Sequence, residues 1–345
     1  MRRVAQMTAF GAGVTAATAL AATSVLVGQA QQARRTIPMA QAPPPRGEGV
    51  YGAKFPGRPL TLVVLGDSSA AGYGVHRPRE TPGALLATGI SRRLRRPVRL
   101  RRLAVVGALS AGLPPQVEAA VEERPDVAVI LIGGNDVTHR TPVPVAVRYL
   151  VEAVRDLRAA GTQVIVGTCP DLGAIQPIKP PLRWLARRWS RRLAAAQTVA
   201  VVEAGGWTVS LGDLLGPRFA AEPHRFFALD RFHPSADGYA VAAAALLPTI
   251  LAALGSVEER QAVLTEGEGV RSLADAAQEA ARHAGTEVSA TQVAGRDSGP
   301  AGRWARLRRR VRFGTRAGRT AASEAAAVLR LPDLGRQPPT LEERA

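Results

Sequence analysis

Leu60-Thr61-Leu62-Val63-Val64-Leu65 is a continuous apolar run that breaks at Gly66-Asp67-Ser68-Ser69. Because it is continuous rather than alternating, it predicts a strand buried on both faces, as in a parallel sheet. Runs at 98–106, 127–132, 163–167 and 199–202 predict further strands of the same kind. Between them, 83–96, 114–123, 143–160 and 182–197 carry apolar residues at three- and four-residue spacing, and 236–254 adds a last helix. Strands alternating with helices predict a doubly wound, three-layer α/β/α domain on a mostly parallel, roughly five-stranded sheet. In such sheets ligands bind beyond the carboxyl ends of the strands, and Ser68, Gly107 and Asn135 all fall just past predicted strand ends.

Three blocks carry chemistry. In Gly66-Asp67-Ser68-Ser69, small neighbours through Gly72 and Gly74 allow a sharp turn that exposes a hydroxyl. Alone it also fits a plain turn or a phosphate cradle, although it lacks the Lys-Ser/Thr ending of a P-loop and the full Gly-x-Gly-x-x-Gly pattern. In Gly133-Gly134-Asn135-Asp136, the Asn135 amide could donate to a developing oxyanion, with Asp136 fixing the loop. Read alone, an Asn-Asp pair is an ordinary turn. In Asp230-Arg231-Phe232-His233, a carboxylate three residues before an imidazole can hold one ring nitrogen and leave the other free for Ser68. The other histidines, His76, His139, His224 and His283, have no such context. Together the blocks supply nucleophile, amide donor, base and orienting carboxylate, the parts needed for acyl transfer through a covalent intermediate.

In these blocks the chain resembles the SGNH/GDSL hydrolase family of serine esterases and lipases, over about residues 60–254. Ser69 stands where the family name has Leu, and the second block is best matched by Gly107 in Ala104-Val105-Val106-Gly107-Ala108-Leu109-Ser110, without the usual preceding Asn. The resemblance implies a flavodoxin-like fold and a carboxylic ester hydrolase. It implies Ser68 as nucleophile, His233 as base and Asp230 as its orienting group. The oxyanion hole would be formed by the N–H groups of Ser68 and Gly107 with the Asn135 amide. No metal or cofactor is called for. The substrate is expected to be a small-molecule, lipid or acylated-sugar ester. An acyltransferase using the same site, or a non-catalytic envelope-binding module, are the alternatives.

The termini differ from this domain. Arg2 and Arg3 precede a nearly uncharged stretch from about 7 to 27, which predicts that residues 1–35 are a signal peptide or N-terminal membrane anchor and that the chain is exported. A small-residue helix packed on the domain is the other reading. Residues 36–50 read as a Pro-rich linker, 51–255 as the hydrolase domain and 256–345 as a largely disordered tail. The net charge is +17, with Lys54 and Lys179 the only lysines among 45 basic residues. An arginine skew of this kind follows genome composition as readily as it follows a partner. The eight arginines between Arg303 and Arg319, interleaved with Trp304 and Phe313, could meet an anionic membrane surface, while nucleic acid is not expected for an exported chain. The helix at 182–197 has a basic flank and an aromatic one, and predicts a surface helix whose aromatics lie in the core, or else an edge of the substrate site. The single cysteine, Cys169, excludes an intrachain disulfide and a multi-cysteine metal site.

Overall fold

The computed structural model describes residues 23–33, 35–36, 43–255, 292–293 and 296–297. At its centre lies β2 (Leu60–Gly66), buried along its whole length. β3 (Val98–Arg102) and β4 (Val127–Leu131) pair with it in parallel on either side. β5 (Gln163–Gly167) and β6 (Trp207–Val209) continue in parallel beyond β4, and β1 (Gly49–Tyr51) closes the opposite edge antiparallel to β3. The six strands therefore run in the order β1-β3-β2-β4-β5-β6. The chain steps outward from β2 to β3 and then returns to β4, so the winding reverses between β2 and β4. That reversal opens a crevice at the carboxyl ends of the strands.

The helices that follow the strands are α1 (Ser68–Ala71), α2 (Pro82–Leu94), α3 (Leu113–Glu122), α4 (Gly134–Thr138), α5 (Val143–Ala159), α6 (Leu182–Glu203), α7 (Leu211–Ala221), α8 (Pro223–Phe226) and α9 (Ala236–Ala253). Pleating divides the strand side chains between two layers. Leu62 and Val64 share one buried cluster with Leu86 and Ile90 of α2 and Leu246 and Ile250 of α9. Val63 and Leu65 share the other with Val117 of α3, Leu150 and Val154 of α5 and Val201 of α6. Each such side chain contributes about 1.5–3 kcal/mol by leaving water, which is why the central strands are apolar on both faces. Helix α9 is long and apolar enough to cross a membrane by composition, but Tyr239, Leu246 and Ile250 are buried in the domain. It is a core helix.

Several local expectations are corrected. Residues 199–202 are not a strand: α6 continues through them to Glu203, because Leu193, Gln197 and Val201 keep one helical face buried despite the β-branched run. The strand next in sequence is β6, only three residues long, after Gly205 and Gly206. The strand from 98 ends at Arg102 rather than 106. The end of the Pro-rich stretch is packed: the Pro44 and Pro45 carbonyls accept from Arg102, Glu48 pairs with Arg101 at 3.3 Å, and β1 begins at Gly49. In α6, Trp184 is 66% exposed rather than in the core, and Trp189 packs against the Arg140 guanidinium at 4.7 Å. The segment before residue 23 and the stretch between Arg303 and Arg319 lie outside the described residues.

Candidate active site

The turn that presents Ser68 to the crevice is built by exclusion. Gly66 closes β2 with φ +129°, and a Cβ there would lie 1.9 Å from the Leu131 carbonyl oxygen of the adjacent strand. Only glycine fits so close an approach at that φ. Asp67 then caps α1, its Oδ1 accepting from the backbone N–H of Ser69 at 2.9 Å and from the Ser69 hydroxyl at 2.6 Å. Burial raises the Asp67 carboxyl above the ordinary range, partly offset by those Ser69 hydrogen bonds. Ser68 therefore sits at the first position of a helix, where free backbone N–H groups favour developing negative charge.

His233 arrives from the other end of the domain, on a loop that folds back on itself through Ala228 N–H donating to the His233 carbonyl at 2.8 Å. Its Nε2 lies 2.9 Å from Ser68 Oγ and its Nδ1 lies 2.7 Å from Asp230 Oδ2. The other Asp230 oxygen accepts from the backbone N–H groups of Phe232 and His233 at 2.9 and 3.0 Å. Burial opposes ionisation of Asp230, but the contacts from His233 and these N–H groups outweigh it and hold the carboxyl below its ordinary range. Arg231 completes the turn in the left-handed region, with φ +55°. The imidazole is packed between Tyr73 and Phe232, with ring centroids 4.6 and 5.0 Å away. Tyr239 fixes that wall by donating its hydroxyl to the Tyr73 carbonyl at 2.7 Å.

Asn135 lies in α4, just past β4, and lines the same crevice as Ser68 and His233. One Nδ2 hydrogen is directed to the Ala108 carbonyl at 3.1 Å, which leaves the second amide hydrogen available to a ligand. Gly107, with φ +80°, is in the turn that presents Ala108, next to Asn135 but not in the crevice lining. That turn is tied down by Asp136, which accepts from the Ser110 backbone N–H and from its hydroxyl at 2.8 Å.

Two residues with no sequence signal complete the frame. Buried Gln116 of α3 accepts from the Gly66 N–H at 2.8 Å and donates to the Gly66 carbonyl at 3.1 Å, holding the residue before the Asp67-Ser68 turn. Buried Gln197 of α6 accepts from Cys169 N–H at 2.8 Å and donates to the Ile132 carbonyl at 3.2 Å, joining the chain just past β4 and β5. Each side chain supplies the hydrogen bonds that the sheet no longer can where the strands part. Cys169 itself is buried, which pushes its thiol well above the ordinary range and leaves it inert.

From Ser68 the crevice leads into a cavity of about 120 Å³ with mostly apolar walls, among them Leu131, Ile175, Leu211, Leu215, Phe219 and Phe227. The 169–181 loop supplies one wall through Pro170, Leu172, Ala174 and Ile175. Among the described residues there is no cluster of His, Cys, Asp and Glu with the geometry to hold a metal. The arrangement is a hydroxyl, an imidazole and a carboxylate in line, with donors to one side and an apolar chamber beyond.

The model of the GDSL-like lipase/acylhydrolase family matches residues 64–241, more than half of the chain and all of this site. The chain belongs to that family. As a GDSL-like acylhydrolase it is a carboxylic ester hydrolase. It is similar to the GDSL-like esterase Rv1075c of Mycobacterium tuberculosis, at 44% identity over 253 residues, covering 70% of this chain and 80% of the relative. Among solved structures, this GDSL-like chain is similar to TesA at 21% identity (TM-score 0.45; 56% of this chain, 99% of that one). It is also similar to the psychrotrophic esterase EstA of Pseudoalteromonas sp. at 20% identity (TM-score 0.45; 57% and 99%).

Proposed function

We propose that this GDSL-like enzyme hydrolyses carboxylic esters through an acyl-enzyme on Ser68. The observation that carries the reading is the unbroken line Ser68 Oγ, His233 Nε2, His233 Nδ1, Asp230 Oδ2, with contacts of 2.9 and 2.7 Å. Ser68 Oγ attacks the ester carbonyl carbon while His233 Nε2 takes its proton, and Asp230 stabilises the imidazolium. The carbonyl oxygen becomes an oxyanion held by the Ser68 N–H and the Asn135 amide, with the N–H of Gly107, in the turn beside the crevice, as the third donor that the family resemblance implies. The C–O bond to the alcohol then breaks, and His233 returns the proton to the leaving alkoxide. Water, deprotonated by His233, attacks the acyl-enzyme and releases the acid and free Ser68.

The apolar cavity beside Ser68 suits the acyl group, which makes an aliphatic acyl ester a better fit than an acetylated sugar. A chain-length series of p-nitrophenyl esters, run beside acetylated sugars, tests this. Highest kcat/KM on an acyl chain of several carbons is expected; a preference for the acetylated sugars would reverse the assignment of the acyl group. Acyl transfer to an envelope acceptor uses the same first half-reaction, and product analysis with and without acceptor alcohols separates the two. The proposed setting is the cell envelope, with the apolar N-terminal stretch as the export or anchoring element.

A further inference from the structure

We infer that the end of the domain bearing the crevice is a docking face for an anionic lipid bilayer, and that the helical segment 23–33 joins that face to the apolar N-terminal stretch. The topology defines the face. Loops that follow the strand carboxyl ends, and the first turns of the helices after them, lie around the crevice mouth. Eight large apolar side chains are exposed among the described residues: Val25, Val50, Val105, Val121, Val145, Trp184, Leu214 and Leu229. Val105, Val145, Trp184, Leu214 and Leu229 follow strand carboxyl ends or open the helices beyond them, whereas Val50, on the edge strand β1, and Val121, at the far end of α3, lie away from this end. Leu229, 92% exposed, stands one residue before Asp230. Trp184, 66% exposed, is in the first turn of α6, directly after the loop that walls the cavity. Soluble surfaces carry scattered apolar residues, but concentration around one opening marks an interaction site.

Charge selects the partner. Of the acids nearest the crevice, Asp67, Asp136, Asp171 and Asp230 are buried; in the first turns of α7 and α9, half-buried Asp213 accepts from the Ser210 hydroxyl at 2.6 Å and exposed Asp237 is paired with Arg225 at 2.9 Å. Lys179, Arg183 and Arg231 are set among the exposed apolar residues and form no ion pair with an acid among the described residues. An apolar rim studded with cations complements an anionic interface: the apolar groups enter the acyl boundary and the guanidinium groups meet headgroup phosphates.

The N-terminal segment fixes the orientation. Ala30 and Ala33 are buried, in one cluster with Ile178, Leu182 and Ala186. Gln29 Oε1 accepts from the Leu182 N–H at 3.0 Å, and its Nε2 donates to the Pro180 carbonyl. The segment is thus packed into the wall loop of the crevice, and in sequence it directly follows the apolar stretch. A retained apolar anchor and an apolar, basic rim on the same end would hold the crevice against the bilayer, so an ester could pass from lipid into the cavity without crossing water. Only this last consequence rests on the ester-hydrolase reading; the docking does not.

The test uses the full chain carrying Ser68→Ala, so that docking is read apart from catalysis. Leu229→Cys, Trp184→Cys and, at the opposite end, Glu122→Cys are each labelled with a polarity-sensitive fluorophore, since buried Cys169 does not compete. The labelled chains are combined with phosphatidylcholine vesicles with or without phosphatidylglycerol. Blue-shifted emission at 229 and 184, larger on the anionic vesicles and absent at 122, is expected. Adding Arg183→Gln and Arg231→Gln should reduce the shift at 229 on anionic vesicles to its value on neutral ones. Vesicle-bound chains with unshifted 229 and 184 probes, an equal shift at 122, a shift insensitive to the arginine changes, or no vesicle binding at all would each overturn the proposal. So would a 229 shift produced by an acidic protein and not by vesicles.

Discussion

His233 Nε2 stands 2.9 Å from Ser68 Oγ although 165 positions separate them in the chain. The contact requires β2 to end at the crevice and α9 to start there, so it depends on the whole winding of the sheet. In the proposed reaction it also supplies the base that the serine needs, because a hydroxyl without an aligned base is a poor nucleophile.

Ser68→Ala should lower kcat on any substrate by about 10⁴–10⁶, with KM little changed. A fluorophosphonate probe should label the native chain and not the variant. Labelling that survives the substitution would place the reactive group elsewhere.

Asp230→Asn should cost about 10⁴ in kcat, since the amide no longer fixes the imidazole tautomer. The same residue sets an acid-side stability term. Its folded pKa is depressed, so its stabilising contribution is complete above the ordinary carboxylate range near 3.9 and is lost as pH falls through the lower folded value. Melting temperatures of the two chains should therefore differ most near neutrality and draw together below about pH 4; a gap that widens on acidification contradicts the sign.

Asn135→Ala should reduce kcat by about 10²–10³ if its second amide hydrogen meets the oxyanion. Substrate binding should change little, because the ground-state carbonyl is not the target of that hydrogen bond. A loss confined to KM would reassign Asn135 to substrate binding.

Gln116→Leu leaves the buried Gly66 N–H without its acceptor. A loss of about 1–3 kcal/mol in folding stability is expected, readable in denaturant unfolding, together with a fall in kcat as the Ser68 turn loosens. Gln116→Glu keeps the acceptor and should retain more activity than the leucine variant.

Much of the domain is legible in its sequence because burial on both faces leaves a continuous apolar run, as at 60–65, and because the reacting groups sit in short local motifs. The run at 199–202 misleads for a definite reason: β-branched residues also serve on a buried helix face, and there Val201 continues the stripe from Leu193 and Gln197. β6 escapes notice since three residues carry too little pattern. Gln116 and Gln197 are invisible for a different reason. A glutamine becomes structural only when particular strand ends part beside it, and nothing local in the chain encodes that meeting. The packing of Ala30 and Ala33 on the wall loop is equally a product of the fold, although an alanine-rich helix on the domain is one of the readings the sequence admits.

Gln116 and Gln197 have one more consequence. Both clasps are neutral amides, so neither protonation nor dissolved salt alters their hydrogen bonds over the range in which the chain is folded. The amide clasps behind the turns that carry Ser68 and Asn135 are thereby insulated from changes of medium, and the parts that respond to acid are the buried carboxyls beside them: Asp67 on Ser69, Asp136 on Ser110 and Asp230 on His233. An enzyme so framed keeps its amide clasps across changes of pH and salt and concentrates its sensitivity to acid in three buried carboxyls, Asp67, Asp136 and Asp230.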